Sequence, residues 1–462
     1  MGLWDVFYRW ARNAADEFYD WSAAAVKHQI MAAEIVISDQ ERVAPPSFNA
    51  AFLVFLKIGL LSFGGPAAQI ALMHRFLVDE QNWLTEKQFL NALSFCMLLP
   101  GPEAMQLATY AGWRLHGLNG GLMGGLLFVL PGALVVFALA ALYAYLGSVP
   151  LVSSLFLGIK AAVLIIVVEA LLKVSKRALK GRAHWMIAGV SFVGIFFLAL
   201  PFPLIVFLAG LFGFLITSSS GRVDGVTIGV PWQKTVLQIA IWLAIWWVPV
   251  LAVGAFSSAP ILTEIGAFFS KLAVVTFGGA YAVLAYMGQD VVSQYGWLTT
   301  GEMMDGLGLA ETTPGPLILV TEFVGFLAAF REGGFWLGTA GAIVTLWVTF
   351  VPCFLWIFVG APYLDWISDQ PRLSGALSAI TAAVVGVILN LSIWFGLHVL
   401  FQTVTAQTYG PLKIWQPDFA TLDWRVVALT VLCGVLLLRL HWNVVWVLFS
   451  AAFSGWVLAT VF

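Results

Sequence analysis

Long apolar stretches separated by short polar segments follow one another along the chain from about residue 50 onward. Many approach the roughly 20 residues that a helix needs to cross the hydrocarbon core of a bilayer. They lie near residues 50–62, 88–111, 122–147, 150–172, 185–217, 236–256, 317–330, 335–359, 373–400, 426–438 and 444–462. Continuous apolar runs of this length predict membrane-spanning α-helices and disfavour a β-barrel, whose strands alternate over about ten residues.

The composition agrees with this pattern. Hydrophobic residues make up 61% of the chain and charged residues only 10%, whereas a soluble domain is about a quarter charged. We therefore predict an all-α polytopic membrane protein whose main partner is the lipid bilayer. Residues 1–47 differ, because tryptophans such as Trp4 and Trp10 alternate there with acidic side chains. This segment is predicted to be an interfacial or cytoplasmic extension without a signal peptide.

Ten residues of the first half recur, without a gap, 214 positions later. Lys57, Phe63-Gly64-Gly65, Trp83-Leu84-Thr85 and Pro100-Gly101-Pro102 return as Lys271, Phe277-Gly278-Gly279, Trp297-Leu298-Thr299 and Pro314-Gly315-Pro316. Further on, Pro131 matches Pro352 and the segment 160–163 matches 381–384, both at an offset of 221. The chain is thus a duplication with seven additional residues in the second half. The repeat preserves a lysine and helix-breaking residues, which indicates a site.

The domains follow from the repeat. We predict an extension over 1–47, a first repeat over 48–220, a linker over 221–258 and a second repeat over 259–462. The linker contains an apolar stretch, 236–256, that has no counterpart and would invert everything after it. Basic residues support the inversion: they crowd the loop near 173–182, whereas the corresponding loop near 394–403 has no charge, and Lys and Arg collect in cytoplasmic loops. We expect two oppositely oriented repeats of about six spans each. With the unmatched helix, this gives about 13 transmembrane segments, some broken or re-entrant.

Inverted repeats with interrupted helices at matching positions are typical of secondary transporters. The Phe-Gly-Gly and Pro-Gly-Pro segments interrupt helices here, and a helix that starts after either one exposes N–H groups and a positive dipole end that suit an anion. The alternative is a kink that lets neighbouring helices pack closely. Lys57 and Lys271 lie within apolar runs, where a cation is costly. They either bind an anion or extend their side chains to the membrane surface.

Carboxylates in or beside the Pro-Gly-Pro segments are candidates for coupling transport to protons. The candidates are Glu103, Glu311 and Glu322, and Asp305 lies in the same region. A carboxyl group in a membrane can bind and release a proton as access alternates. The alternative is that each one pairs with a basic residue and never titrates.

Other chemistry finds little support in the sequence. The six histidines show no metal-ligand spacing, no Walker-type phosphate loop occurs, and the three cysteines stand alone in apolar runs. We therefore expect no metal, no cofactor, no nucleic-acid partner and no enzymatic activity. The oligomeric state has no signature in the sequence.

Three segments carry a resemblance to a known family: Phe63-Gly64-Gly65-Pro66, Trp83-Leu84-Thr85 and the run from Pro100 to Tyr110. With Phe277–Tyr281 and Glu311–Pro316, they make the chain similar to long-chain, two-domain members of the chromate ion transporter family. The resemblance implies chromate efflux across a bacterial inner membrane, driven as an antiport by the proton-motive force, with sulfate as a competing anion and chromate resistance as the result.

The substrate-binding residues expected from the repeat and the resemblance are Lys57, Phe63, Gly64, Gly65, Pro100, Gly101, Pro102, Lys271, Phe277, Gly278, Gly279, Pro314, Gly315 and Pro316. Two alternatives stay open. One is a transporter of another oxyanion such as sulfate, with uptake as its direction. The other is a membrane-embedded enzyme acting on lipid-linked substrates, which would cluster His, Asp or Ser residues at one membrane face.

Overall fold

The structure is a computed structural model. It describes residues 46–147, 149–217, 231–257, 259–277, 280–364, 367 and 370–461. Nearly all of the predicted extension over 1–47 and the first part of the linker therefore lie outside the described residues.

Helices dominate the described chain. Those of the first repeat are α1 (Phe48–Leu61), α2 (Gly65–His74, continued by a π-helical turn, Arg75–Glu80), α3 (Glu86–Leu98), α4 (Glu103–Leu146), α5 (Pro150–Ala178), α6 (Arg182–Phe196) and α7 (Phe202–Ile216). The linker helix is α8 (Trp232–Phe256). The second repeat contains α9 (Pro260–Val275), α10 (Ala280–Ser293), α11 (Thr300–Thr312), a 3₁₀ turn (Leu317–Leu319), α12 (Val320–Gly360), α13 (Pro371–Leu400), strands β1 (Val404–Tyr409) and β2 (Leu412–Pro417), α14 (Trp424–Gly434, continued by a π-helical turn, Val435–Arg439) and α15 (Val444–Val461).

Six helical segments of the described chain are long and apolar enough to cross a membrane. They are Glu103–Leu146, Pro150–Ala178, Trp232–Phe256, Leu317–Tyr363, Pro371–Leu400 and Val444–Val461. Shorter apolar helices, among them α1, α6 and α7, accompany them. A helical, multi-spanning membrane protein is thereby confirmed, while the count of 13 segments stays a prediction.

The two longest helices, α4 and α12, each fold back on themselves. In a straight helix, residues 16 positions apart lie about 24 Å apart. In α4, however, a methyl group added to Gly124 would lie 2.6 Å from the carbonyl oxygen of Ala108. In α12, one added to Gly341 would lie 2.4 Å from the carbonyl oxygen of Gly325. Each helix is therefore a hairpin of two antiparallel arms.

The reversals have the same backbone geometry in both halves. His116 and Gly117 leave the helical region in α4, as Gly333 and Gly334 do in α12, and the second residue of each pair has a positive φ, 59° and 70°. These pairs are 217 positions apart, so three of the seven additional residues precede the reversal, where the 3₁₀ turn Leu317–Leu319 lies. The other four additional residues lie between the reversal and Pro352, the proline of the second half that matches Pro131.

The arm that follows each Pro-Gly-Pro segment is short. From Glu103 to the reversal at His116 it has about 13 residues and spans about 20 Å, less than the ~30 Å of a bilayer core. The residues after the reversal form a full-length span. The Pro-Gly-Pro segment is therefore separated from the reversal by less than the thickness of a bilayer core.

The repeated Trp-Leu-Thr segments start matching helices. Thr85 and Thr299 cap α3 and α11, and each forms a capping box with the residue three positions later, Gln88 or Glu302. In a capping box, two N–H groups that the helix leaves unpaired are satisfied reciprocally. The repeat of this motif thus has a local structural cause.

The end of each repeat packs on the other repeat. Helix α5 of the first half contacts α14 and α15 of the second, and α13 of the second half contacts α6 and α7 of the first. Both interfaces use small residues: Gly158 lies against Ala451, and Gly213 lies against Gly375. Close approach through small residues is a common way for membrane helices to associate.

Helix α8 lies at the periphery, where it contacts α9 and α12. A second peripheral element was not predicted from the sequence: strands β1 and β2 form an antiparallel hairpin between α13 and α14. The N–H group of Lys413 in this hairpin donates to the carbonyl oxygen of Phe197, in the connection between α6 and α7. The loop expected near 394–403 is therefore mostly the end of α13, and the hairpin that follows it contains Lys413.

Candidate functional site

Four helix interruptions form the candidate site. We call them tip 1 (62–65), tip 2 (99–102), tip 3 (276–279) and tip 4 (313–316). Tips 1 and 2 belong to the first repeat, and tips 3 and 4 to the second. Gly278 and Gly279 of tip 3 lie outside the described residues.

The tips are joined across the two halves by a reciprocal pair of backbone hydrogen bonds. The N–H group of Gly101 in tip 2 donates to the carbonyl oxygen of Thr276 in tip 3, at 2.8 Å. The N–H group of Gly315 in tip 4 donates to the carbonyl oxygen of Ser62 in tip 1, also at 2.8 Å. The donors are equivalent in the repeat, and so are the acceptors. The structure therefore brings the predicted segments together in pairs, each with one member from each half.

These bonds change what the Pro-Gly-Pro segments can offer to an anion. Proline has no N–H group, and the single N–H of each segment, on Gly101 or Gly315, is already bonded. The donors that follow are those of the first helical turn, because the first N–H groups of a helix have no intrahelical partner. In the first half these belong to Glu103, Ala104 and Met105. The segments thus hold a helix N-terminus in place and have no free N–H group of their own to offer an anion.

Each Pro-Gly-Pro tip also rests against the long second arm of the opposite half. A methyl group added to Gly132, which follows Pro131 in α4, would lie 2.2 Å from the carbonyl oxygen of Pro314. The corresponding residue of the second half, Cys353, lies against tip 2: a methyl group on Gly101 would be 3.0 Å from its sulfur. The repeated prolines therefore mark where each arm meets the opposite tip.

Two buried glutamines outside the repeated motifs support the tips. The side-chain N–H₂ of Gln69 donates to the carbonyl oxygen of Gly315 at 2.6 Å, and that of Gln106 donates to Pro100 at 2.7 Å. Their counterparts are Val283, at the offset of 214, and Phe323, at the offset of 217 that holds after the 3₁₀ turn. Since the repeat does not preserve them, the comparison of the halves could not reveal them.

The two predicted lysines occupy matching places, each against a ring of its own half. The Nζ atom of Lys57 lies 4.5 Å from the centre of the Phe76 ring, and that of Lys271 lies 5.5 Å from the centre of the Tyr286 ring. Both side chains are exposed, and each lysine lies five residues before the start of its tip. This position suits a cation–π contact beside the tips, and their role in binding an anion stays a prediction.

The three candidate carboxylates have different surroundings. Glu311 is buried and accepts a hydrogen bond from Tyr281 at 2.8 Å. Glu103, in the first turn of α4, has Arg177 as a nearby positive charge. Glu322 is 1% exposed and has neither a hydrogen bond nor an ion pair within the described part of the chain. Of the three, Glu322 is therefore the one for which the described contacts give no structural role.

A further polar cluster joins three helices. Asp305 on α11 accepts a hydrogen bond from Tyr143 of α4 at 2.7 Å and lies 3.6 Å from the Nζ atom of Lys160 on α5. The sequence contained a signal for this pairing: the counterparts of Lys160 and Asp305 are Thr381 and Asn91, so both charges are absent from the other half. The cluster makes the two halves electrostatically different.

The fold and the site define a multi-spanning helical membrane transport protein. Its centre consists of interrupted helices from two repeats, as expected for a substrate pathway between them. Comparison with known proteins gives the family: the chromate transporter family matches residues 50–214 and 263–456. The chain belongs to this family, as the resemblance had indicated.

Curated relatives agree with this assignment. The chain is 32% identical to a chromate transport protein of Pseudomonas aeruginosa over 425 residues, which cover 90% of this chain and 94% of the relative. It is 29% identical to a probable chromate transport protein of Synechococcus elongatus, over 76% of this chain and 85% of that one. A chromate transport protein of Cupriavidus metallidurans is also 29% identical, over 74% and 82%. These relatives are transport proteins and not enzymes. No solved structure matches the chain.

Proposed function

We propose that this protein exports chromate from the cytoplasm across a bacterial inner membrane, coupled to the proton-motive force, and thereby confers chromate resistance. The observation that carries the proposal is the reciprocal joining of four interrupted helices at the centre of a chromate transporter family member. Sulfate, a tetrahedral dianion like chromate, is the expected competitor.

Two opposed halves support alternating access. The packing of α5 on α14 and α15 is repeated by that of α13 on α6 and α7, which is the relation expected of two halves around a pseudo-two-fold axis. Basic residues near 173–182, at the end of α5 and in the connection to α6, favour a cytoplasmic position for this region. In this proposal α8 is the additional crossing that inverts the second half. We therefore propose inverted repeats with their tips near the bilayer midplane.

The anion is proposed to bind beside the joined tips. The first turn of α4, from Glu103 to Met105, and Leu317 with Ile318 after tip 4 supply N–H groups at positive helix ends. Lys57 and Lys271 add positive charge one helical turn or so before the first tip of each half. Glu103, Glu311 and Glu322 are the proposed proton-binding residues, with Glu322 the foremost because nothing in its described surroundings pairs with it.

Electrical energy favours export of a dianion. Moving one charge through 100 mV is worth about 2.3 kcal/mol, so two charges leaving a negative interior gain about 5 kcal/mol at that potential. Uptake of the same ion would have to overcome this amount. Export is thus the direction that the membrane potential assists.

Transport into everted membrane vesicles tests the proposal. Because the cytoplasmic face points outward in such vesicles, energisation should make labelled chromate accumulate inside, and a protonophore should abolish the accumulation. Cells that express the protein should also survive chromate concentrations that stop control cells. Accumulation of sulfate without chromate would assign the protein to another oxyanion, and accumulation only in right-side-out vesicles would establish uptake.

The paired lysines give a second test. Replacing Lys57 or Lys271 with methionine keeps the apolar stem and removes the charge, so we expect the KM for chromate to rise about tenfold for the loss of one charge contact of about 1.4 kcal/mol. Lys87→Met, at an exposed lysine near the start of α3, is the matched control and should leave the KM unchanged. An unaltered KM in both site variants would show that neither lysine binds the anion.

A further inference from the structure

The two repeats differ in how their short helices after tips 1 and 3 are packed. In the second half, α10 contacts α13 and α11 contacts α5. Symmetry of the halves would place α2 on α5 and α3 on α13, but the described chain shows no comparable contact between those helices. Burial follows the same division: Asp305, Gly308 and Glu311 on α11 are buried, while their counterparts Asn91, Ser94 and Met97 on α3 are exposed.

Such asymmetry is what one end state of an alternating-access transporter has to contain. If two inverted halves exchange their conformations, the opening moves from one membrane side to the other. In the exchanged state, α2 and α3 would be seated against α5 and α13, and α10 and α11 would be withdrawn. The contacts of the exchanged state can therefore be read from the present contacts by applying the repeat offsets.

One contact in the present structure has an informative counterpart. The side chain of Asn390 on α13 donates to Gln289 on α10 at 3.4 Å. With offsets of 221 for α13 and 214 for α10, the corresponding residues are Glu169 on α5 and Arg75 at the end of α2. A neutral hydrogen bond in one half thus maps onto a pair of opposite charges in the other.

The register at these positions is well defined. Trp83 donates to the carbonyl oxygen of Leu77 as Trp297 does to that of Val291, which keeps the offset of 214 through the end of α2. Helices α5 and α13 both begin with a proline, Pro150 and Pro371, at the offset of 221. The correspondence of Arg75 with Gln289 and of Glu169 with Asn390 therefore does not depend on a choice of alignment.

Both charged residues now make only local ion pairs. Arg75 pairs with Glu80 and is largely exposed, and Glu169 pairs with Lys173 one turn along its own helix, at 2.8 Å in each case. The Arg75–Glu80 pair is exposed, and an exposed pair contributes little to stability. Glu169 itself is only 21% exposed, but its partner Lys173 is 66% exposed. The present partners, Glu80 and Lys173, can therefore turn into solvent when α2 approaches α5.

We infer that Arg75 and Glu169 form an ion pair in the conformation opposite to the present one, and that this pair positions α2 and α3 against α5 and α13 during transport. The inference rests on the proposed arrangement of inverted repeats that alternate access. The pair is a positioning contact and does not bind the transported anion.

Cysteine cross-linking in native membranes tests the inference. The variant Arg75→Cys/Glu169→Cys should form a disulfide under mild oxidation, detected by mass spectrometry of the linked peptide. Gln289→Cys/Asn390→Cys should do the same for the present state. Arg75→Cys/Leu151→Cys, with the second cysteine near the far end of α5, is the distance control and should stay unlinked. The native cysteines, all buried, can remain.

Each disulfide should stop transport until it is reduced, because each holds one end state. Formation of the 289–390 link without any 75–169 link, in membranes that transport actively, would overturn the inference. Linking requires no particular substrate. If both links form while chromate is not transported, the proposed substrate is wrong and the inference stands.

Exchanging the two charges tests the pairing by transport activity. If each residue were only structural, exchanging both charges would not restore the activity. Arg75→Glu should reduce transport about tenfold or more, because it places like charges together in the exchanged state. Arg75→Glu/Glu169→Arg should restore most of the activity. Failure of the double variant to recover, with the protein inserted at normal levels, would contradict the pairing.

Discussion

Replacing Gly132 with alanine should abolish transport while the protein still inserts into the membrane. The added methyl group would lie 2.2 Å from the carbonyl oxygen of Pro314 and 2.7 Å from a methyl carbon of Leu319. A backbone oxygen cannot rotate away as a side chain can, so tip 4 must shift. That shift would break the hydrogen bond from Gly315 to Ser62, and overpacking of this kind costs about 1–3 kcal/mol.

The measurements are chromate accumulation in vesicles and the thermal midpoint of the purified protein. Gly189→Ala is the matched control: Gly189 lies in α6, and nothing lies within 4 Å of the added methyl group. It should transport normally and gain slightly in stability, since alanine favours a helix over glycine by about 1 kcal/mol. Leu319→Ala should not rescue Gly132→Ala, because it leaves the closer backbone contact in place. Normal transport by Gly132→Ala would show that transport does not require tip 4 to keep its present position against α4.

Glu322→Gln should uncouple transport from protons and leave the anion site intact. The side chain is 1% exposed and has no partner in the described part of the chain, so glutamine keeps its shape and removes only its ability to exchange a proton. In proteoliposomes we expect exchange of internal for external chromate to continue. Accumulation driven by a pH gradient should fall to the equilibrium level.

Stability helps to separate coupling from structure. Replacing a buried ionisable group that lacks a partner should leave the free energy of unfolding unchanged or raise it. Glu332→Gln, at an exposed glutamate beside the reversal of α12, is the control and should retain driven accumulation. If Glu322→Gln also retains it, proton coupling belongs to Glu103, to Glu311 or to neither.

The sequence predicted the interruptions but not which of them meet. A repeat of Phe-Gly-Gly and Pro-Gly-Pro is equally consistent with tips that join within a half and with tips that join between halves. The bond from Gly101 to Thr276 depends on the packing of complete helices, and no local pattern encodes it. Gln69 and Gln106 could not be predicted for the same reason. Their side chains donate hydrogen bonds to the tips, and the tips come together only in the folded protein.

Hydropathy located some breaks in the helices and not others. The apolar runs at 88–111 and 122–147 predicted two helices, and the reversal at His116 and Gly117 lies in the gap between them. The first run, however, continues across the break between Leu98 and Glu103, which only the Pro-Gly-Pro pattern marks. The hairpin of β1 and β2 was missed for a related reason: its strands are short, and they follow an apolar helix that the pattern extended into a loop.

The cross-half bonds also have a consequence for biosynthesis. Gln69 and Ser62 both contact Gly315, and Gln69 precedes it by 246 positions. Gly315 therefore leaves the ribosome only after most of the chain has been made. Until then, the first half sits in the membrane with its interrupted helices unpaired, and each unsatisfied buried group costs about 1–3 kcal/mol. Completion of the centre is thus a late event, and the early half depends meanwhile on lipid, water or the insertion machinery to cover its exposed backbone.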